Sequence, residues 1–103
     1  MKIGAGMDAG HPFATVVNAH SVGKHFSVYQ NVTVGVSNGG KPVIGDFVTI
    51  FTHSVVIGDI RIGNNVTIGA STMVYKDVPD NCVVIGNPAR IISQDGQKVN
   101  IKL

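Results

Sequence analysis

The sequence predicts an all-β solenoid of parallel coils, each a triangle of three six-residue units, and three observations carry that prediction. Ile44, Ile50, Val56, Ile62, Ile68 and Val74 fall at a strict spacing of six, and Val16, Val22, Val28 and Val34 form an earlier run with the same period. Neither a helix nor an ordinary strand repeats every six residues, so the period itself points to a parallel β-helix. Within the five units from Ile44 to Met73 the residue after the aliphatic start is Gly in three, and the fifth is usually small or β-branched. That pattern suits a short strand followed by a turn needing a permissive backbone. The composition agrees: Gly is abundant at 13, Trp is absent and aromatic residues are only 6%, as a narrow interior admitting Val and Ile rather than rings requires.

Taken in order, the chain enters repeat material almost at once, at Ile3-Gly4-Ala5-Gly6, with nothing before it to cap a first coil. It is therefore read either as the C-terminal part of a longer protein or as a coil that another element covers. The register breaks between Val34 and Ile44, where ten residues replace six, which places an extruded loop at Ser37-Asn38-Gly39-Gly40-Lys41-Pro42. Insertions of this kind project on one face of a solenoid, often the binding face. After Val74 the repeat decays through Val78-Pro79-Asp80-Asn81 into Val83-Val84-Ile85-Gly86-Asn87-Pro88-Ala89-Arg90-Ile91-Ile92. Residues 1–92 are read as one domain, since 103 residues suffice for one core but not two. Residues 93–103 are read as a tail that either adds a strand or frays. Stacked coils bury their aliphatic starts in one column and need capped ends, and the general rule for parallel crossovers favours right-handed connections.

Charge and cysteine usage narrow the function. The net charge of +2 is small and the basic residues are scattered, which excludes a nucleic-acid footprint and a polybasic membrane patch. No stretch reaches the roughly 18 apolar residues of a membrane span, and the N-terminus lacks a charged-then-apolar signal pattern. A single cysteine, Cys82, excludes an internal disulfide framework and fits a reducing compartment. The expected location is the cytoplasm.

The ending from Val83 to Ile92 resembles the C-terminal signature of the hexapeptide-repeat acyltransferases, and the N-terminal half resembles their serine acetyltransferase branch. That branch carries Ile-Gly-x-Gly, then a catalytic His, then Gln-x-Val-Thr-aliphatic-Gly. Here Ile3-Gly4-Ala5-Gly6, His11 and Gln30-Asn31-Val32-Thr33-Val34-Gly35 follow in the same order, with one residue fewer between His11 and Gln30. Gly10-His11-Pro12-Phe13 is also similar to the catalytic histidine region of related acetyltransferases acting on drugs and sugars. The resemblance covers roughly Ile3 to Ile92. It implies a left-handed β-helix, an exception to the crossover rule, assembled as a homotrimer with active sites between subunits. It further implies acetyl-CoA as co-substrate, a small hydroxyl acceptor as partner and no resident metal.

On that resemblance His11 is the general base that takes the proton of the acceptor hydroxyl as it attacks the thioester, a role that typically contributes about 10²–10⁴-fold. The family places an Asp directly before this His, where Gly10 stands here, and Asp8 is the substitute. A second family His precedes a Pro in the extruded loop, where this chain has Lys41 before Pro42. That change leaves the acceptor open between L-serine and a sugar. With the register slip near His11 set aside, His53 falls two whole coils after the unit containing His11 and is placed on the same face, positioning acceptor or acetyl group. By position, the pantetheine arm of CoA is expected along Ser54, Ala70 and Ser71, with Lys76 and Arg90 meeting the nucleotide phosphates; no Gly-x-x-x-x-Gly-Lys phosphate loop exists in the chain. Two other readings stand beside this one. His20 and His25 have the spacing of one zinc-ligand pair in the γ-class carbonic anhydrases, which share the scaffold. A catalytically silent trimeric module is the other, since solenoids can keep their contacts without chemistry.

Overall fold

The computed structural model describes Lys2–Ile3, Asp8–Ala9 and residues 15–103, with side chains from Thr15 onward. Among the described residues there is no helix, and the strands follow one another as β1 (Lys2–Ile3), β2 (Asp8–Ala9), β3 (Val16–Val17), β4 (Ser21–Val22), β5 (Ser27–Val28), β6 (Thr33–Gly35), β7 (Val43–Ile44), β8 (Thr49–Ile50), β9 (Val55–Ile57), β10 (Arg61–Ile62), β11 (Thr67–Ile68), β12 (Met73–Val74), β13 (Cys82–Ile85), β14 (Arg90–Gln94) and β15 (Gln97–Lys102). Every third strand stacks in register. β1, β4, β7 and β10 form a first sheet, β2, β5, β8, β11 and β13 the parallel part of a second, and β3, β6, β9 and β12 a third. Ile44 pairs with Ile62, Ile50 with Ile68 and Val56 with Val74, so one coil is three hexads. The chain is the expected parallel β-helix, of about four turns.

The first and fifth residues of each unit fill the interior. Val22 and Phe26, Val28 and Val32, Ile44 and Val48, Ile62 and Val66 are all buried. Each full burial of such a side chain contributes roughly 1.5–3 kcal/mol before entropy is counted. The expectation of a ring-free interior is corrected by Phe26, which lies wholly inside. Val16 is corrected as well. It pairs with Thr33 and is 56% exposed, while Val17 pairs with Val34. The first coil is not built of sixes: eight residues separate Ala9 from Val17 and five separate Val17 from Val22, so the early period of six is one residue out of phase at its start.

The corners show why the repeat reads as it does, and they correct the role given to its glycines. The left-handed turn falls on the fourth position, at His25, Asn31, Phe47, His53, Asn65 and Ser71, with φ between 53 and 62°. Gly at the second position answers a close approach instead. A Cβ on Gly45 would stand 2.4 Å from Asn64 Oδ1, because that oxygen accepts the Asp46 N–H at 2.7 Å. Asp46 Oδ1 accepts the Lys24 N–H and Asp80 Oδ1 the Asn64 N–H, so the corner between the first and second sheets is a ladder of such bonds. The same crowding excludes a side chain at Gly23 and Gly63.

The extruded loop is a miniature hairpin. Ser37 and Gly40 exchange two backbone hydrogen bonds of 3.1 Å, and Asn38 and Gly39 between them have φ of 52 and 79°. That is the Asn-Gly chemistry of a two-residue hairpin turn. The tail does not fray. β14 pairs antiparallel with β13, and β15 pairs antiparallel with β14 across Asp95-Gly96, whose φ values are 52 and 78°. The strand β14 therefore runs through the 92/93 position, and its hairpin covers the end of the second sheet.

Candidate active site at the corner between the second and third sheets

Each passage from the second sheet to the third turns at one corner, and successive coils stack there. Tyr29 and Phe51 lie ring on ring, 4.9 Å between centroids and 10° from parallel. Thr52 Oγ1 donates to Gln30 O at 2.7 Å, and Ser71 N donates to Thr52 O at 2.9 Å. His53 and Ser71 occupy equivalent left-handed positions one coil apart, and both are exposed, as is Ala70. The structure thus gathers His53, Ala70 and Ser71 on one corner. His11 lies outside the described residues, and of Asp8 only the strand is described. The strands flanking His11 in sequence, β2 and β3, are members of the same two sheets that His53 lies between, through β8 and β9.

Ser54 is corrected. Its side chain is fully buried in the column, donating to Gly69 O at 2.7 Å and accepting from Thr72 N at 3.2 Å. Thr72 Oγ1 in turn accepts the Gly86 N–H at 3.1 Å. Fifth positions face inward, so Ser54 is part of the interior and its hydroxyl has no free capacity aimed at a groove. Cys82 is also inside; burial pushes its thiol above the ordinary range, and the carboxylates of Asp95 and Asp80 add to the shift.

Lys76 follows β12, and Arg90 pairs with Ile85 at the C-terminal end of the stack. Lys76 lines a small cleft with Met73, Tyr75, Pro88, Ala89 and Lys102. Arg90 sits on β14, where its Nε donates to Asn100 Oδ1. Lys102 was missed by sequence reasoning, although the Asp95-Gly96 hairpin signal could have folded β15 back beside Pro88 and Ala89. A second cleft, beside the extruded loop, is lined by His20, Gly40, Lys41, Val43 and Asp59. His20 and His25 stand at the two ends of β4, and His25 stacks on Phe47 at 4.9 Å. Among the described residues no group of three His, Cys, Asp or Glu side chains could hold a metal ion.

The coil geometry defines the class. Residues 41–76 match the Bacterial transferase hexapeptide (six repeats) family, and the chain belongs to the hexapeptide-repeat acyltransferase superfamily, with its left-handed β-helix. Within that superfamily it is similar to serine acetyltransferases. It is 36% identical to that of Synechococcus elongatus over 96% of this chain and 43% of the relative, and 38% identical to that of Staphylococcus aureus over 95% and 48%. The crystal structure of Neisseria gonorrhoeae serine acetyltransferase superposes with a TM-score of 0.85 at 35% identity, covering 95% of this chain and 40% of that one. A serine acetyltransferase in complex with CoA gives 0.82 at 32% identity, over 88% and 39%. The chain spans less than half the length of these relatives.

Proposed function

We propose that the protein is an acetyl-CoA-dependent O-acetyltransferase that acylates the hydroxyl of a small acceptor, L-serine or a sugar. The observation that carries this reading is the similarity to serine acetyltransferases over some 95% of the chain, at 35% identity and a TM-score of 0.85. One neighbour of the same kind is described in complex with serine, at a TM-score of 0.81.

In the mechanism, His11 accepts the hydroxyl proton while the oxygen attacks the thioester carbonyl, and the C–O bond forms as the carbonyl oxygen takes the charge. The tetrahedral species collapses with cleavage of the C–S bond, and the imidazolium returns its proton to the leaving thiolate. A neutral imidazole suits both transfers near neutral pH, and no covalent enzyme intermediate is needed. Asp8 orients the imidazole, His53 positions acceptor or acetyl group, and the corner at Ala70 and Ser71 guides the pantetheine arm. Lys41, exposed on the extruded loop beside His20 and Asp59, is the feature that keeps a sugar in contention as acceptor.

A homotrimer, located in the cytoplasm, is part of the proposal. Its support is the outer face of the third sheet, where Val16, 56% exposed, stacks in register through Thr33 with Val55. The test is thiol release from acetyl-CoA with L-serine and a panel of sugars, for the wild type and His11→Ala. Acceptor-dependent release that collapses in the variant is expected; equal release in both would overturn the role of His11.

A further inference from the structure

We infer that Asn38 is a self-modification site: the tip of the extruded loop converts its own amide to a carboxylate through a ring closed by the Gly39 nitrogen, and so changes the charge of the element that carries Lys41. The modification requires no activity of the protein. Only its bearing on the acceptor rests on the acetyltransferase reading above.

The chain has eight asparagines, and Asn38 is the one followed by glycine. A side chain on the next residue shields its backbone nitrogen, and Gly39 has none; a Cβ built there would meet nothing within 4 Å. Asn38 is exposed, its side chain has no hydrogen-bond partner among the described residues, and the Gly39 N–H donates to nothing there. Other asparagines are tied down. Asn64 Oδ1 accepts the Asp46 N–H, Asn65 Nδ2 donates to Asn81 Oδ1, and Asn100 Oδ1 accepts from Arg90 Nε. Asn87 precedes Pro88, whose nitrogen carries no hydrogen to lose.

In the reaction, base removes the Gly39 amide proton and the nitrogen attacks the side-chain carbonyl carbon of Asn38. A cyclic imide forms as the bond from that carbon to Nδ2 breaks and ammonia leaves. Water then opens the imide at either carbonyl, giving an ordinary aspartate or a β-linked one in which the main chain runs through Cβ. Ring closure requires Asn38 to leave its left-handed turn, φ 52°, and the loop permits it. Only the two hydrogen bonds between Ser37 and Gly40 close the hairpin, and opening it leaves β6 and β7 in their sheets. Asp95-Gly96 has the same pair of left-handed residues but is tethered: Asp95 N donates to Asn81 O at 2.9 Å and Asp95 Oδ1 accepts from Asn81 Nδ2 at 3.1 Å. Asn38 lines a recess with Asp59, which in turn lines the neighbouring cleft with His20 and Lys41. A carboxylate at position 38 therefore adds a second negative charge beside Asp59, on the acceptor-side loop.

The test is peptide mapping by mass spectrometry of protein held at mildly alkaline pH, with an isoaspartyl methyltransferase reporting the β-linked form. The acid is expected to accumulate at position 38 in both linkages, with Asn18 and Asn31 unchanged. Asp95→Asn sets the same dipeptide in the tethered turn, and its amide should be lost roughly tenfold or more slowly than that of Asn38, the effect of the bonds holding the turn. If that variant misfolds, Asn18 and Asn31 supply the comparison. Where the wild type acetylates an acceptor, aged protein and Asn38→Asp should share a KM for it shifted roughly two- to fivefold, with KM for acetyl-CoA unchanged. An unshifted KM would refute the bearing on the acceptor, and an inactive wild type would sink the acetyltransferase reading while the mass readout stands. An amide retained at Asn38, or lost there no faster than at the other positions, would overturn the inference.

Discussion

Ser54 separates a side chain's structural role from a ligand-binding one, because the resemblance puts the residue along the pantetheine arm and the fold puts its side chain inside the coil. Replacing it with Ala removes one oxygen that serves two backbone groups, Gly69 O and Thr72 N. Each buried backbone group left without its partner costs about 1–3 kcal/mol. Thr72 is buried and bears its share in full, while Gly69 is only partly covered and regains some solvation. The expected loss is therefore about 2–4 kcal/mol, the lower half of the combined range. At about 4 °C per kcal/mol for a domain of this size, the melting temperature should fall by roughly 8–16 °C. The assay is thermal and urea unfolding followed by far-ultraviolet circular dichroism at one fixed protein concentration, since assembly shifts apparent stability. KM for acetyl-CoA is measured alongside, below the transition. A variant that unfolds within about 2 °C of the wild type but binds acetyl-CoA more weakly would refute the assignment to the interior.

Gly45→Ala should cost about 1–3 kcal/mol, because the new methyl meets Asn64 Oδ1 and the backbone of Gly63; urea midpoints at unchanged m-value check it. Asn31→Val, at φ 57°, should cost about 1–2 kcal/mol while Asn31→Gly is tolerated, read from the same unfolding curves. Cys82 holds its proton more tightly folded than unfolded, so its contribution is complete below the ordinary thiol pKa of about 8.5 and is lost as pH rises past it; Cys82→Ala should flatten the decline of stability above that pH. Val16→Asp, at an exposed position, should leave the monomer folded but break the proposed trimer, seen as a reduced mass in light scattering.

The solenoid was legible because its core is periodic: from Val22 to Val74 each aliphatic start predicted as interior is interior, and only the ten-residue step at the extruded loop interrupts the count. Phase was harder to read than period. Val16 and Val17 are adjacent and chemically identical, so nothing in the sequence chooses which faces inward once the spacing departs from six. Gly45 and Gly63 were recognised as special for the wrong reason, since a glycine that avoids the next coil and one that bends its own turn look alike in one dimension. The site was less legible still. His53, Ala70 and Ser71 share a corner because the fourth and neighbouring positions of successive coils stack, which the repeat foretold. Ser54 is one residue further on and faces the opposite way. Lys102 joins Lys76 through a hairpin reversal, so no solenoid count brings the two together.

The central claim is that this coil transfers an acetyl group through His11, and acceptor-dependent release of the CoA thiol tests it most directly. Because Cys82 is buried with its thiol protonated, it should add no background to a thiol-reagent readout of the folded protein. The account predicts release that requires L-serine or one of the sugars and falls by about 10²–10⁴-fold in His11→Ala with circular dichroism unchanged. Release from neither acceptor class by a folded assembly, or release untouched by the substitution, would contradict it.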